Sequence, residues 1–516
     1  MMTDLILVNA NVITMNPAFP KGGLIAIQDG KIQNVANGGG FEDLRNSKTK
    51  VIDCHGKTVL PGFIDAHIHF HGFSERLMTL NLSPHNNVCS ISDIRDKISQ
   101  ISKELPSGTW IRGAGYNEFY LAEKRHPTRW DLDVATSTHP IKLTHRSGRA
   151  HVLNSLALKL VNISKETADP TDGLIDRDIE TGEPTGLLYG MGDYLAKLIP
   201  PIDHDQMELG VKLANTQLSS LGITSIHDAS PRNNLSRWKM FQRWIESGLL
   251  RSRVCMALGM EGYEEYRKHP FQTRIDENRL RVQGLKIILH ETTGRLYPTQ
   301  EELNETVLDI HRSGLQAVLH AIEGKTIEAA CNAVEYALKK SPRSDHRHRI
   351  EHCSVCTPSL AKCLASLGIM VVTQPSFIYY NGDRYLKTVP KPNLEHLYPL
   401  STLIKNGVAV AGSSDCPVVP ANPIMGVYAA VSRRTEAGDF VLPDEKITPL
   451  EALKMYTQDA AKATSEERIK GSIEPGKLAD LVVLSGDPTK LPANEMKDIE
   501  VEMTILDGEV VWDKMS

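Results

Sequence analysis

Leu60-Pro61-Gly62-Phe63-Ile64-Asp65-Ala66-His67-Ile68-His69 is an apolar run that closes on two histidines one residue apart. On a β-strand, residues i and i+2 face the same side. His67 and His69 therefore leave the strand end together, placed so that two imidazoles can share one metal ion. A strand that finishes in paired ligands is how a barrel enzyme begins a metal site at its mouth.

Downstream of His69 the sequence alternates apolar strands with amphipathic helices, the pattern of βα units on a parallel sheet. Further strands are expected at 222–228, 254–258, 285–290, 317–322, 349–353, 370–374 and 409–414, which with the first makes eight. Thr299-Gln300-Glu301-Glu302 opens one intervening helix with an N-cap and an acidic first turn, and Gly314 stops it. The fold class is therefore α/β, a (β/α)8 TIM barrel over 61–465. Roughly 150 residues separate the first two strands, far more than an ordinary connection. That gap predicts an inserted α/β subdomain at 73–206, leaving from the C-terminal end of strand one and so lying over the barrel mouth.

Both ends of the chain read as short strands. Leu24–Ile27 and Ile32–Val35 flank Asp29-Gly30, and Met503–Leu506 and Val510–Trp512 flank Asp507-Gly508, both hairpin signals. Neither end has enough strands for a stable sheet alone. One small β-sandwich domain built from 1–60 plus 466–516 is the economical solution.

Bulk properties narrow the function. The 516 residues are 41% hydrophobic and 23% charged, the composition of a globular protein, and the net charge of -5 gives no reason to expect a nucleic acid or an acidic membrane as partner. No apolar run has the length of a membrane span, and the N-terminus does not read as a signal peptide. The eight cysteines are scattered and imply a reducing, cytoplasmic setting; Cys353-Ser354-Val355-Cys356 has redox or zinc spacing but no second pair beside it in the sequence.

Active sites of such barrels gather at the C-terminal strand ends. Strand one offers His67 and His69, strand four Lys286, strand five His320, strand six His352 and strand eight Asp415. Four histidines and an aspartate in equivalent places read as one metal centre. Lys286 needs separate physics. A protonated lysine cannot ligate a cation, and a bare ammonium is costly in an apolar strand. Reaction with carbon dioxide would turn it into a carbamate whose two oxygens can bridge two metals. The alternative is a lysine salt-bridged to a strand-end carboxylate such as Glu291. Imidazole and carboxylate ligands suit Zn2+ first, with Mn2+ or Fe2+ as alternatives.

Pro61–His69, Arg349-Ile350-Glu351-His352 and Ser414-Asp415-Cys416-Pro417-Val418 together resemble the amidohydrolase superfamily, and within it amidohydrolase family 3, the branch that includes N-substituted formamide deformylase. Gly471-Ser472-Ile473-Glu474-Pro475-Gly476-Lys477-Leu478-Ala479-Asp480 is similar to that superfamily's return to its β-domain. Arg125–Arg129, Leu132-Asp133 and Val152–Ser155 match within the insert. The resemblance implies that His67, His69, Lys286 and Asp415 hold one metal and that Lys286, His320 and His352 hold a second. Three places depart from the pattern: His290-Glu291 after strand four, Glu323-Gly324 after strand five, and Arg149 where a histidine is frequent.

The activity expected is hydrolysis of a small amide, of N-acyl or N-formyl amine type, by hydroxide generated at the metal. Asp415 would take the water proton and return it to the leaving nitrogen, and His320 and His352 would steady the tetrahedral oxyanion. Tyr116, Asn117, Arg146 and His151 in the insert, His227 on strand two, and Tyr380 and Arg384 in a loop after strand seven are the candidates for touching substrate. A cyclic amidase, a lyase or isomerase at the same metal, and a metal-free scaffold are the alternatives. Oxygen from labelled water in the acid product separates hydrolysis from the others, and a scaffold would be expected to have lost ligands. The partner expected is a small-molecule amide, and a homo-oligomer is compatible with the sequence.

Overall fold

The computed structural model describes residues 3–38, 42–170, 173–271, 276–292 and 295–515. The chain divides into two compact units, Met1–Phe70 with Asn215–Ser516, and His71–Ala214.

The first unit contains a (β/α)8 barrel. Its strands are β1 (Phe63–Ile68), β2 (Ile223–Asp228), β3 (Arg253–Leu258), β4 (Leu280–Ile288), β5 (Gln316–Ala321), β6 (Arg349–His352), β7 (Met370–Thr373) and β8 (Val410–Gly412). They pair in that order, each parallel to the next. The last strand meets the first just beyond its end: Asp415 donates its N–H to the His67 carbonyl (2.9 Å) and His69 donates to the Cys416 carbonyl (2.8 Å). Val318, Leu319, Ile350, Val371 and Val410 are buried, as expected for a parallel sheet covered by helices.

Both boundaries of β4 differ from the sequence reading, and those of the later strands shift by at most two residues. β4 begins at Leu280 rather than 285, because Leu280, Arg281 and Val282 pair with Val254, Cys255 and Met256 before Gly284 reaches Gln316 of β5. Arg281 and Gln283 interrupt the apolar run and hide this start. At the other end β4 stops at Ile288, and His290–Thr292 pairs with Arg295–Tyr297 in a separate hairpin.

Leu60 and Pro61 do not belong to the barrel. Thr58–Pro61 joins a six-stranded sheet with Glu509–Asp513, Val501–Leu506, Leu481–Leu484, Asn11–Ile13 and Lys21–Gly22, pairing Leu60 with Val482. A four-stranded sheet of Lys31–Ala36, Leu24–Gln28, Leu5–Val8 and Lys50–Asp53 accompanies it. Leu5, Leu7, Ile25 and Ile27 of one sheet and Val12, Val59, Leu481, Val483 and Ile505 of the other form a common core. Both Asp-Gly turns have positive φ at each residue (50° and 71° at Asp29-Gly30, 52° and 76° at Asp507-Gly508), as two-residue hairpin loops of the mirror-image type I require. The run changes sheets at Gly62, where a Cβ would lie 2.4 Å from the Thr224 side chain.

Asp480 ties the terminal sheets to the barrel. Its two oxygens take Arg253 Nε (2.7 Å) and Nη2 (2.9 Å), and both side chains are buried. Asp507 pairs with Arg253 and with Arg279 at 2.9 Å. Removing one partner of a buried pair strands the other's charge. Asp480→Ala is therefore expected to cost about 3–5 kcal/mol, read as a lowered urea midpoint; an unchanged midpoint would show that the clamp adds nothing.

Near the starts of β5 and β6, three histidines form a closed network. His348 Nε2 lies 2.8 Å from His311 Nδ1, His311 Nε2 is 2.6 Å from the Ser341 carbonyl, and His346 Nε2 is 2.8 Å from the Leu367 carbonyl. His348 Nδ1 accepts from Ala317 N–H. Burial first, then the neighbouring His346, His311 and Arg343, hold His348 well below the ordinary histidine value. The folded state therefore keeps it neutral, while the unfolded chain takes a proton below about pH 6.5. Stability is expected to fall as pH drops from 7 to 5, with His348 contributing up to about 1.4 kcal/mol per pH unit. Urea unfolding across that range checks this; a flat profile would contradict it.

The second unit carries a six-stranded sheet ordered Leu174–Arg177, Pro184–Tyr189, Ala150–Leu153, Ile141–His145, Ile111–Tyr116 and Leu80–Asn81. Helix Ile91–Ser102, opened by a Ser90–Asp93 capping box, buries Ile91, Ile94 and Ile98 against Ile111, Ile141 and Leu143. Among the described residues no helix is long and apolar enough to cross a membrane.

Candidate metal centre

His67 and His69 occupy the end of β1 and the residue just past it, with ring centroids 5.2 Å apart. Asp415 meets them from the chain after β8: its Oδ1 lies 3.1 Å from His69 Nε2 and 3.5 Å from His67 Nε2. His67, His69 and Asp415 have one ligand atom each within 4.8 Å of one another. His352 follows, 5.1 Å from His67 and 4.4 Å from His320 between ring centroids. Lys286 is buried within electrostatic reach of Glu351 and Asp415. The geometry thus draws together all six side chains that the strand ends suggested.

Backbone and neighbours explain the convergence. His352 (φ 71°), Cys353 (φ 49°) and Asp415 (φ 57°) adopt the left-handed conformation, which costs a non-glycine residue on the order of 1 kcal/mol and turns the strand ends toward a common point. Asp65, two residues before His67 on the same face, accepts from Ser414 N–H (3.1 Å) and Oγ (2.5 Å), which moors the Asp415 loop to β1. Burial pushes the Asp65 carboxyl up to about 6, against those hydrogen bonds.

Each imidazole is oriented from behind. His67 Nδ1 contacts the buried carboxylate of Glu351, whose other oxygen pairs with Arg349 Nε at 2.7 Å. His352 Nδ1 lies 2.9 Å from Gln374 Oε1, and Gln374 Nε2 donates to Ser413 Oγ at 3.0 Å. His69 Nδ1 lies 3.1 Å from Ser230 Oγ. A carboxylate or amide oxygen only accepts, so Nδ1 of His67 and of His352 carries the proton and Nε2 presents its lone pair. Burial keeps both rings neutral, with His352 lowered to about 4 and His67 well below the usual value. Burial alone would raise the Asp415 carboxyl, but its hydrogen bond to His69 and the charges of His352, His69 and Lys286 hold it below the ordinary value.

Buried His67 Nε2 and Lys286 Nζ have no hydrogen-bond partner, and Asp415 Oδ1 is met by His69 Nε2 at 3.1 Å. A bare imidazole lone pair facing a carboxylate oxygen at 3.5 Å repels it unless a cation lies between them. The donor set therefore fits a divalent ion. Lys286 does not pair with Glu291, which binds Lys325 at 2.7 Å instead. Burial, opposed by Glu351 and Asp415, lowers the Lys286 ammonium to about 8, so a neutral amine is accessible.

The candidate substrate contacts fall in both units. His227 is 2% exposed, and both ring nitrogens are engaged, with Arg349 Nη1 and Thr464 Oγ1 each at 3.3 Å, so its ring belongs to the barrel interior and has no nitrogen left for a ligand. Tyr380 and Arg384 lie on helix Ser376–Thr388 rather than in a loop; Arg384 stacks 4.8 Å over Tyr385, and burial pushes the Tyr380 phenol up to about 12. In the second unit Tyr116 OH lies 3.0 Å from His126 Nδ1, Asn117 Oδ1 accepts from Phe119 N–H, and Arg146 N–H donates to the Tyr116 carbonyl. His151 lies beside Thr144 across the adjacent strand. Arg349, Glu351, Asp65 and Gln374 had drawn no role from the sequence. Period-2 spacing from the ligands was the available signal: Asp65 precedes His67 by two residues, and Arg349 and Glu351 alternate inward along β6.

The sequence matches the family model described as Amidohydrolase family over residues 50–512. It is 28% identical to YtcJ of Bacillus subtilis, covering 95% of this chain and 96% of that protein. It is 27% identical to N-substituted formamide deformylase of Arthrobacter pascens, with 99% of each covered. The fold resembles the crystal structure of an uncharacterized metal-dependent hydrolase of Pyrococcus horikoshii, with a TM-score of 0.76 at 22% identity over 95% of this chain and 99% of that one.

Proposed function

The chain belongs to the amidohydrolase family and is an enzyme acting on carbon–nitrogen bonds, and from that premise we propose that it hydrolyses the amide of a small N-acyl or N-formyl amine at a centre of one or two divalent ions. One observation carries the reading: Asp415 Oδ1 lies 3.1 Å from His69 Nε2 and 3.5 Å from His67 Nε2, and buried His67 Nε2 and Lys286 Nζ have no hydrogen-bond partner. His67, His69, Lys286 and Asp415 would hold one ion, and Lys286, as its carbamate, with His320 and His352 would hold a second. Zn2+ suits the imidazole and carboxylate donors best, with Mn2+ and Fe2+ as alternatives. A divalent ion in this place supplies Lewis acidity to an amide carbonyl and acidity to water.

The chain's own residues supply the rest. Asp415, ionised and anchored by its N–H to the His67 carbonyl, would accept the proton of the attacking water and deliver it to the leaving nitrogen. With its proton held on Nδ1 by Gln374, His352 would act on the carbonyl oxygen only through the ion that it would hold with His320. The resemblance to a formamide deformylase supports linear amides ahead of cyclic ones.

The test is a panel of N-formyl, N-acetyl and cyclic amides scored for acid and amine release in 18O-labelled water. The expected result is stoichiometric acid and amine from linear amides, with label in the acid. Turnover without solvent oxygen in the product would contradict hydrolysis.

A further inference from the structure

Barrels of this class fill their interior with layers of branched apolar side chains. Along β2 and β6 this barrel instead holds a column of polar ones. At the floor, where Gln316 at the start of β5 donates to the Ala463 carbonyl at 2.9 Å, the segment after the last barrel helices crosses beneath the strands. Lys470 Nζ there donates to Ser225 Oγ at 3.0 Å and pairs with Glu466 at 3.0 Å. Thr464 Oγ1 donates to Glu466 Oε2 at 2.6 Å and lies 3.3 Å from His227 Nε2. His227 Nδ1 lies 3.3 Å from Arg349 Nη1, Arg349 Nε pairs with Glu351 Oε1 at 2.7 Å, and Glu351 Oε2 contacts His67 Nδ1. Ser225, His227, Arg349, Glu351, Thr464, Glu466 and Lys470 are each at most 4% exposed.

Proton placement follows from the ends. Arginine only donates, so His227 Nδ1 accepts and its Nε2–H donates to Thr464. Thr464 has one hydroxyl proton, which goes to a carboxylate that only accepts. At the other end Arg349 grips one oxygen of Glu351 and leaves the second for His67. Donation thus runs from Arg349 through His227 and Thr464 down to Glu466, while Glu351 accepts from both Arg349 and His67, so every donor and acceptor between the floor and the metal-ligating ring is fixed.

Stability does not explain it. Two buried ion pairs, Arg349–Glu351 and Lys470–Glu466, carry a desolvation cost that a well-packed apolar core of equal volume would avoid. What the column provides is a single orientation for Arg349 and through it for Glu351, hence one tautomer and one ring plane for His67. We infer that His227 and Thr464, at the barrel floor, are positioning residues for the metal ligand His67, acting through Arg349 and Glu351. The inference rests on the metal centre proposed above and goes beyond it by placing control of that centre at the closed end of the barrel.

The experiment compares Zn2+ affinity, by competition with a chromogenic chelator, and melting temperature of the apoprotein for wild type, Glu351→Gln, Thr464→Val and Thr464→Ser. Loss of a ligand's immediate partner weakens metal binding roughly 10- to 100-fold. Glu351→Gln should fall in that range. Thr464→Val, further along the column, should weaken binding by about three- to tenfold. Thr464→Ser should bind like wild type, and the apoprotein melting temperatures should not follow the affinities. If Thr464→Val does not fold, His227→Leu takes its place, with His227→Asn as the variant that keeps an acceptor for Arg349. Wild-type affinity in Thr464→Val beside a weakened Glu351→Gln would overturn the inference and leave the metal centre standing. So would a loss that tracks the apoprotein melting temperature and is not restored by serine. Absence of Zn2+ binding in the wild type would overturn both.

Discussion

Asp415→Asn is expected to lower kcat by roughly 10²–10⁴-fold while most of the bound metal remains. The substitution keeps the size of the side chain and the backbone bond from Asp415 N–H to the His67 carbonyl. It removes the charge and the capacity to take a proton. His67, His69, Lys286, His320 and His352 are untouched, so metal content should fall by less than activity. Metal analysis beside steady-state kinetics checks both halves. Activity within tenfold of wild type would show that Asp415 only ligates. Loss of all metal would show that its role is structural, and the proton shuttle would then lack support.

Lys286→Met has the second largest expected effect. Methionine fills the same volume in an apolar strand, so the barrel should tolerate it. It cannot carry a carbamate, and a second ion would lose its bridge. Loss of several kcal/mol of transition-state stabilisation corresponds to a fall in kcat/KM of roughly 10³-fold, together with about one equivalent of metal. In the wild type, loading with 13C-bicarbonate should give a carbamate carbon resonance that the variant lacks. A variant with wild-type metal content and turnover would leave Lys286 as a core residue without a chemical role.

The parts of this protein legible in its sequence are those whose signal is local. His67-Ile68-His69 declares itself because strand geometry fixes what lies two residues apart. His320, His352 and Asp415 are readable because each ends its own apolar run. Signals that need a partner elsewhere were lost. The apolar run through Gly62 looks like one strand, yet the Leu60–Val482 pairing, set by a residue over 400 positions away, assigns its first part to another sheet. The start of β4 is masked by Arg281 and Gln283. Helix Ser376–Thr388 passes for a loop because Pro375 precedes it and Asn381-Gly382-Asp383 imitates a turn. Glu351 was visible in its motif but silent, because its meaning lies in His67, 284 residues earlier. His227 looked like a pocket residue at a strand end until Arg349 and Thr464 took both its nitrogens.

Imidazoles at the ends of β1, β5 and β6, the β4 lysine and the aspartate after β8 are proposed to hold one or two divalent ions. Anomalous diffraction at the absorption edge of the metal found in the purified protein tests this most directly. The expected result is a peak about 2.0–2.2 Å from His67 Nε2, His69 Nε2 and an Asp415 oxygen. Metal-replete crystals with no anomalous density among those side chains would contradict it.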